Sequence, residues 1–336
     1  MTITIRDLAE KLNLSITTVS RALDGYSDVA EETRKRVVEA AQQMGYVPSA
    51  AARQLRRKRT DAVGFILPTS SPQFSDPFYV SFLTGLCDEV ASHRLDMMVT
   101  SCQPDSPEEK REYNRWVQSH RVDGIVLNRI RVSDWRITYL VENKIPFVTL
   151  GKPDTDSTCP YISVDERAGV QKLVKHLIDK GHRSVAFIGG PEDLVIQQER
   201  FAGYQQGLEA AGIALDPALI LEGNLTEDGG YRAALALLGR RKRPTAVIGC
   251  NDLTALGVMR AAKERGVYIG TELAIAGYDG VKETGYTNPP LTTVSQPTYQ
   301  IARGLAKMLI QLIEGKPIEN PGVILQPELR IRASTG

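Results

Sequence analysis

Residues 4–23 read TIRDLAEKLNLSITTVSRAL. Thr4 stands three residues before Asp7, the spacing of a capping box, in which a hydroxyl accepts from an open backbone N–H and a carboxylate reaches back to the N-cap. Ile5, Leu8, Ala9 and Leu12 recur at helical spacing, and Asn13-Leu14 ends the helix. Ser15 can cap a second helix that buries Val19, Ala22 and Leu23 and turns Ile16, Thr17, Ser20 and Arg21 outward. Two short helices joined by a tight turn predict a helix-turn-helix. The N-terminal end of a recognition helix enters the major groove, so side chains there must be short or able to bond base edges. Thr17 can bond a base or pack on a thymine methyl, Ile16 offers apolar contact, and Arg21 can take guanine or a phosphate. A three-helix bundle with no nucleic acid would show the same pattern.

A third helix is predicted from about Glu31 to Met44, with Val37, Val38, Ala41 and Met44 apolar and Gly45 as its stop. Tyr46-Val47-Pro48 follows, and then residues 49–59, SAAARQLRRKR, Ala-rich at the start and basic at the end. A lone helix this short is marginal in water and would fray until something binds it; a solvated linker is the plainer alternative.

The strings TVSRAL (18–23), VAEETRKRVVEAAQQMGYVPSAAARQL (29–55) and NPPLTTVSQP (288–297) together resemble the LacI/GalR family of bacterial transcription regulators, along the full chain. The resemblance implies a headpiece at 1–59 that ends in a hinge helix over residues 49–57, folded in the minor groove of operator DNA, with Leu55 wedged into the central base step. Such wedging costs a few kcal/mol of unstacking that further contacts repay. By this resemblance Ile16, Thr17 and Arg21 read bases and Ala52 and Leu55 contact the minor groove. With Thr4, Ser15, Thr18, Ser20 and Arg56 they form the expected DNA-binding set. Double-stranded operator DNA with pseudopalindromic half-sites, a small sugar-like effector and a second copy of the chain are the implied partners. The end LRIRASTG carries no leucine heptad, so a homodimer is expected.

Composition agrees. At 336 residues the chain exceeds one ordinary domain. Its net charge of +1 hides an asymmetry, because residues 1–60 carry eleven Lys/Arg against seven Asp/Glu, five of the basics between Arg53 and Arg59. A basic arm on a slightly acidic body suits docking by one end. No apolar run could span a membrane, and MTITIRDLAEKL lacks a signal peptide's apolar core, so a cytoplasmic, nucleoid-associated protein is expected. Cys87, Cys102, Cys159 and Cys250 are scattered without metal-ligand spacing and read as free or buried thiols. No nucleotide-binding glycine motif, metalloprotease motif or nucleophile elbow is present, so no enzymatic activity, cofactor or metal is expected.

From Asp61 onward strands and helices alternate, beginning with the apolar strand Ala62 to Leu67. Repeated strand–helix units imply parallel sheets covered on both faces. Two such sets predict an α/β domain of two lobes over residues 60–336, of the periplasmic-binding-protein type. The resemblance adds three chain crossings, placed near 160, 290 and 320, with lobe 1 at about 60–160 and 291–320 and lobe 2 at about 161–290 and 321–336.

In open parallel sheets ligands bind beyond the carboxyl ends of the strands. Asn128-Arg129, Asn251-Asp252 and Asp279 follow predicted strands, and Arg200 opens a helix. Carboxylates accept two hydrogen bonds, and Arg and Asn can span two oxygens, as vicinal sugar hydroxyls require. Phe74, Phe78 and Leu225 can supply an apolar wall. The effector-binding set is thus Phe78, Asn128, Arg129, Arg200, Leu225, Asn251 and Asp279. Asn251 can instead pin a turn and Asp252 cap a helix. The resemblance implies that Arg200, in ERFAGY, and Asp279, in GYDG, hold effector. Gly151-Lys152 departs from the Gly-Arg of many members, so the effector is expected to be held differently here than in members with Asp at that glycine. VLNRIRVSDWR (126–136) and FSDPFY (74–79) resemble members that answer to α-glucosides, while Arg129 and Lys152 could neutralise a phosphorylated sugar. A solute-binding protein without regulatory role is the alternative function.

Overall fold

The short helices at the amino end bury one small core. A computed structural model describes residues 3–46, 59–69, 76–153 and 159–336, which fall into two compact units, Met1–Thr60 and Asp61–Gly336. In the first, α1 (Ile5–Leu12), α2 (Ile16–Leu23) and α3 (Glu31–Met44) pack around Leu8, Val19, Ala22, Val37 and Ala41. Val38, expected to face inward, is 38% exposed, and Ala40 is buried instead. The stripe that faces α1 and α2 runs through Val37, Ala40, Ala41 and Met44, and Val38, about 100° round the helix from Val37 on the side away from Ala40, falls beyond its edge.

The second unit holds two six-stranded sheets. It runs β1 (Ala62–Pro68), α4 (Pro77–Ser92), β2 (Asp96–Cys102), α5 (Pro107–Gln118), β3 (Gly124–Leu127), α6 (Trp135–Glu142), β4 (Phe147–Leu150) and β5 (Tyr161–Val164). It continues with α7 (Glu166–Asp179), β6 (Val185–Gly189), α8 (Val195–Ala210), β7 (Ile220–Glu222), α9 (Glu227–Leu238), β8 (Ala246–Gly249), α10 (Asp252–Glu264), β9 (Ala274–Asp279) and β10 (Thr292–Ser295), and closes with α11 (Thr298–Ile313), β11 (Gly322–Leu325) and β12 (Glu328–Arg330). The first sheet has the order β11-β5-β4-β3-β1-β2, all parallel. The second has the order β12-β10-β9-β8-β6-β7, parallel except that β12 runs against β10.

The continuous apolar runs have a simple cause: each central strand feeds two cores. Along β1, Val63, Phe65 and Leu67 meet α4 and α11, while Ala62 and Ile66 join Trp116 and Leu140 of α5 and α6. Along β6, Val185 and Phe187 meet α7 and α8, while Ala186 and Ile188 meet α9 and α10. Alternation of period two with both faces covered reads as uninterrupted hydrophobicity. No helix among the described residues is long and apolar enough to cross a membrane.

The chain passes between lobes three times, about five residues later than the positions expected near 160, 290 and 320. β5 still pairs with β4 and β11 in the first sheet, β10 lies in the second, and β11 returns to the first. The crossings follow Val164, Ser295 and Leu325, so these three strands fall outside the lobe ranges expected for them. A four-residue strand such as YISV carries no local mark of the sheet it joins; pairing across the sheet decides it.

Candidate functional site

In the headpiece, local hydrogen bonding fixes both helix starts. Thr4 Oγ1 accepts from the Asp7 N–H at 3.4 Å, and Asp7 Oδ2 accepts from the Thr4 N–H at 2.8 Å. The Thr4 N–H, together with Thr4 Oγ1, which donates to Asp7 Oδ2 at 2.9 Å, holds the Asp7 carboxyl below its usual range. Ser15 Oγ accepts from the Thr18 N–H at 3.0 Å and lies 2.8 Å from Thr18 Oγ1. Thr4, Ser15 and Thr18 therefore engage in capping. Ile16 and Thr17 project from the first turn of α2, Ile16 with 45% of its surface exposed, and Ser20 is half-buried. Arg21 is exposed, paired with Asp28, and lies 5.1 Å over the Tyr26 ring. The hinge residues Ala52, Leu55 and Arg56, and the wall candidate Phe74, lie outside the described residues.

In the larger unit, the carboxyl ends of the strands open onto one cleft between the lobes. Phe78, Asn128, Arg129, Arg200, Leu225, Asn251 and Asp279 all line it, with Asp76, Tyr79, Leu150, Gly151, Ser163, Val164, Glu166, Ile196 and Gln296. The space, counted out to bulk water, is about 580 Å³.

Arg200 forms the floor. It is 3% exposed; its Nε donates to Glu166 at 2.7 Å, Nη2 donates to Asp279 at 3.3 Å, and Nη1 donates to the Cys250 carbonyl. Its guanidinium lies 3.8 Å over the Tyr278 ring. Burial opposes the charge, but Glu166 and Asp279 overcome it, and the proton is held more tightly than usual. Asp279 also accepts from Gln296 Nε2 at 2.9 Å. Its φ of +113° is one that a non-glycine residue rarely adopts. Burial raises the Asp279 carboxyl well above its ordinary value, with Arg200 opposing and Asp252 adding to the rise.

Asp252 does not cap its helix; Asn251 does. Asn251 Oδ1 accepts from the Thr254 N–H at 3.0 Å, and Nδ2 donates to the Leu225 carbonyl at 3.2 Å, so this amide is largely spent on structure. Asp252 instead accepts from Thr293 Oγ1 at 2.6 Å and from the Val281 N–H at 2.9 Å, tying the loop after Asp279 to β10. Burial pushes its carboxyl up to about 7. Gly277 leaves room for it, because a Cβ there would sit 2.3 Å from Asp252 Oδ1. Leu225, in a left-handed conformation at φ +58°, packs against Gly190, where a Cβ would lie 2.9 Å away.

On the first lobe, Asn128 Nδ2 donates to Tyr79 Oη at 2.9 Å, and burial raises that phenol to about 12. Arg129, left-handed at φ +46°, lies 5.8 Å over the Tyr79 ring. The carbonyls of Asn128 and Arg129 both accept from Arg136 Nη2, at 3.1 and 2.9 Å, and Asp134 holds Arg136 in turn at 2.6 Å. A buried ion pair thus sets the backbone that presents both cleft residues. Lys152 is exposed and lines, with Pro153 and Glu199, an opening that adjoins the cleft through the shared residues Gly151, Ser163, Val164, Glu166 and Ile196. Tyr79, Glu166 and Gln296 were missed in the sequence; Gln296, inside NPPLTTVSQP, had the nearest available signal.

Comparison with known proteins fits both units. Residues 4–49 match the family described as "Bacterial regulatory proteins, lacI family", and residues 174–335 match "Periplasmic binding protein-like domain". The chain is 34% identical over 341 residues to the HTH-type transcriptional regulator AglR of Rhizobium meliloti, spanning 100% of this chain and 95% of that protein. The chain belongs to the lacI family of bacterial regulatory proteins. Within the family it is also 30% identical, over 336 residues and 100% of both chains, to Catabolite control protein A of Priestia megaterium. Among solved structures it is similar to a transcriptional regulator CelR–cellobiose complex (TM-score 0.76, 30% identity, 99% of each chain). It is also similar to a lac repressor dimer bound to operator and the anti-inducer ONPF (TM-score 0.85, 25% identity, 100% of this chain and 99% of that one). Membership makes α1 and α2 the DNA-binding element of a transcriptional regulator, and the lobes its binding-protein-like domain.

Proposed function

We propose that this protein represses carbohydrate-utilisation genes by binding a pseudopalindromic operator as a homodimer, and that a neutral sugar or oligosaccharide in the cleft controls that binding. The carrying observation is the convergence of Phe78, Asn128, Arg129, Arg200, Leu225, Asn251 and Asp279 on one cleft in a chain that also carries a helix-turn-helix. Phe78 and Leu225 offer a wall for a sugar face; Asp279, Asn128 and Arg129 offer acceptors and forked donors for hydroxyls. A phosphorylated effector is the less favoured reading. Arg200 is already shared between Glu166 and Asp279, and Asp76 adds a third carboxyl to the lining. The cellobiose bound to CelR supports the same ligand class.

Two recognition helices of a dimer would enter successive major grooves, with Ile16, Thr17 and Arg21 reading bases, Ala52 and Leu55 engaging the minor groove, and Arg56 adding to the DNA contact. Effector shifts the lobes, changes the spacing of the two hinge segments, and so orders or melts them. Coupling of about 1–3 kcal/mol gives roughly 5- to 150-fold regulation. The protein would act in the cytoplasm, at the nucleoid.

The test is selection of DNA fragments bound at about physiological salt, with and without neutral disaccharides. Recovery of one pseudopalindrome, weakened or strengthened by a sugar, supports the reading. By linkage, operator must shift sugar affinity by the same factor, and equal affinity with and without operator sinks the scheme.

A further inference from the structure

Beside the effector cleft the two lobes are joined by something other than the three crossings. Val132 N–H donates to the Asp193 carbonyl at 2.8 Å, and Val195 N–H donates to the Ile130 carbonyl at 2.9 Å, an antiparallel bridge of Arg131 with Leu194. Leu194 is the N-cap of α8 and has no side chain able to cap it, so the first lobe satisfies that helix end. The bridge is flanked by cleft residues, Arg129 on one strand and Ile196 on the other.

Arg131 sits at its centre with only 7% of its side chain exposed. Nη2 donates to the buried Glu109 at 3.1 Å, which fixes the guanidinium to the first lobe. Nε then lies 3.6 Å from Asp105 on the same lobe and 3.7 Å from Asp193 on the other. Nη1 is buried and has no hydrogen-bond partner among the described residues. A buried cation with a spare donor gains from every carboxylate brought near it. Asp193 is the one such carboxylate that lobe movement would carry away.

We propose that Arg131 and Asp193 form an electrostatic latch between the lobes, which sets the fraction of molecules closed around effector without touching it. Arg131 is a positioning residue, and the proposal rests on the cleft being the effector site. Apparent affinity is the intrinsic affinity scaled by the closed fraction, so weakening the latch weakens binding.

Asp193 is the residue to vary, because it is half-exposed while its backbone bonds remain. In the full chain without sugar, hydrogen exchange of peptides holding Val132 and Val195 should quicken about two- to five-fold in Asp193→Ala, as expected for a partly exposed pair. It should quicken roughly ten-fold in Asp193→Lys and stay near wild type in Asp193→Glu. Calorimetric titration with maltose, sucrose, trehalose and cellobiose should show, for whichever sugar binds, affinity falling by whatever part of the shift exchange does not report, since the two factors multiply to the loss in the closed–open equilibrium, with rescue by Asp193→Glu. Should the wild type bind none of them, the effector reading has failed for these sugars, and exchange still decides the latch. Unchanged exchange in Asp193→Lys together with unchanged affinity for a sugar that binds, or unchanged exchange where no sugar binds, overturns the proposal.

Discussion

Replacing Arg200 with Met tests the charge balance beneath the cleft. The substitution keeps most of the apolar stem but removes the cation that Glu166 and Asp279 share at 2.7 and 3.3 Å, and strips the Cys250 carbonyl of its donor. Both carboxyls are about nine-tenths buried, so neither regains full hydration. Breaking a buried pair from one side costs about 3–5 kcal/mol, which in a domain of this size lowers Tm by roughly 6–15 °C. The sign with pH separates charge from packing. Burial already holds the folded pKa of Asp279 above its unfolded value, and removing the guanidinium raises it further. A carboxyl raised on folding binds more protons folded than unfolded, so stability is lost as pH rises through the folded pKa. The penalty relative to wild type should therefore be largest near pH 8 and shrink towards pH 5. Urea unfolding of both proteins across that range is the assay. A loss below about 1 kcal/mol, or an equal loss at both ends, would refute the charge account.

Three further outcomes are expected. Between about pH 5 and 7, wild-type stability should fall with a component of up to about 1.4 kcal/mol per pH unit from Asp252, whose carboxyl burial raises to about 7, and Asp252→Asn should remove that component in the same urea series. Gly280→Ala should cost about 1–3 kcal/mol by urea unfolding, because the position has φ +72° and a Cβ would lie 2.6 Å from the Ser295 Cα; sugar titration should show affinity falling as well, since the neighbouring Asp279 moves. Leu55→Ala should weaken binding to the selected operator far more than binding to bulk DNA in filter-binding or anisotropy assays, and equal losses would remove the wedge role.

What could be read from the chain alone tracks how local each determinant is. The headpiece was legible because its signals span three residues: Thr4 with Asp7, and Ser15 with Thr18, are capping pairs that need nothing distant. Asn128, Arg129, Asn251 and Asp279 were legible because strands end where ligands bind, and that rule needs only the strand ends, whereas Arg200, inside α8, came from the resemblance and Phe78 and Leu225 from the need for an apolar wall. Asn251 and Asp252 show its limit. Both residue types cap helices well, and only the partners Thr293 and Val281, on other elements, show which of them does. Arg131, Asp134 and Arg136 carry no mark of burial within VLNRIRVSDWR, and Asp193, the partner of Arg131 on the other lobe, lies some sixty residues further along the chain, so only the fold shows these pairs. The crossings slipped for the same reason, because β5, β10 and β11 gain their sheet from neighbours far away in the chain.

The interleaving of the lobes has a consequence for biosynthesis. The headpiece core is complete once Ala41, Met44 and Tyr46 are available, so it can close while most of the chain is still being made. The first sheet cannot: Ala62 opens it, but β11 and the covering helix α11 are supplied by residues 298–325. At roughly 5–20 residues per second, the nascent half-sheet waits about 8–30 s after Val164 emerges, with the face over β1, β3 and β4 uncovered by α11. The second lobe, all but β12 and the residues around it, is made within that interval, while the unfinished first lobe is open to chaperones and to aggregation. A ribosome stalled before residue 298 would therefore carry a finished DNA-binding headpiece on an effector domain that cannot yet fold.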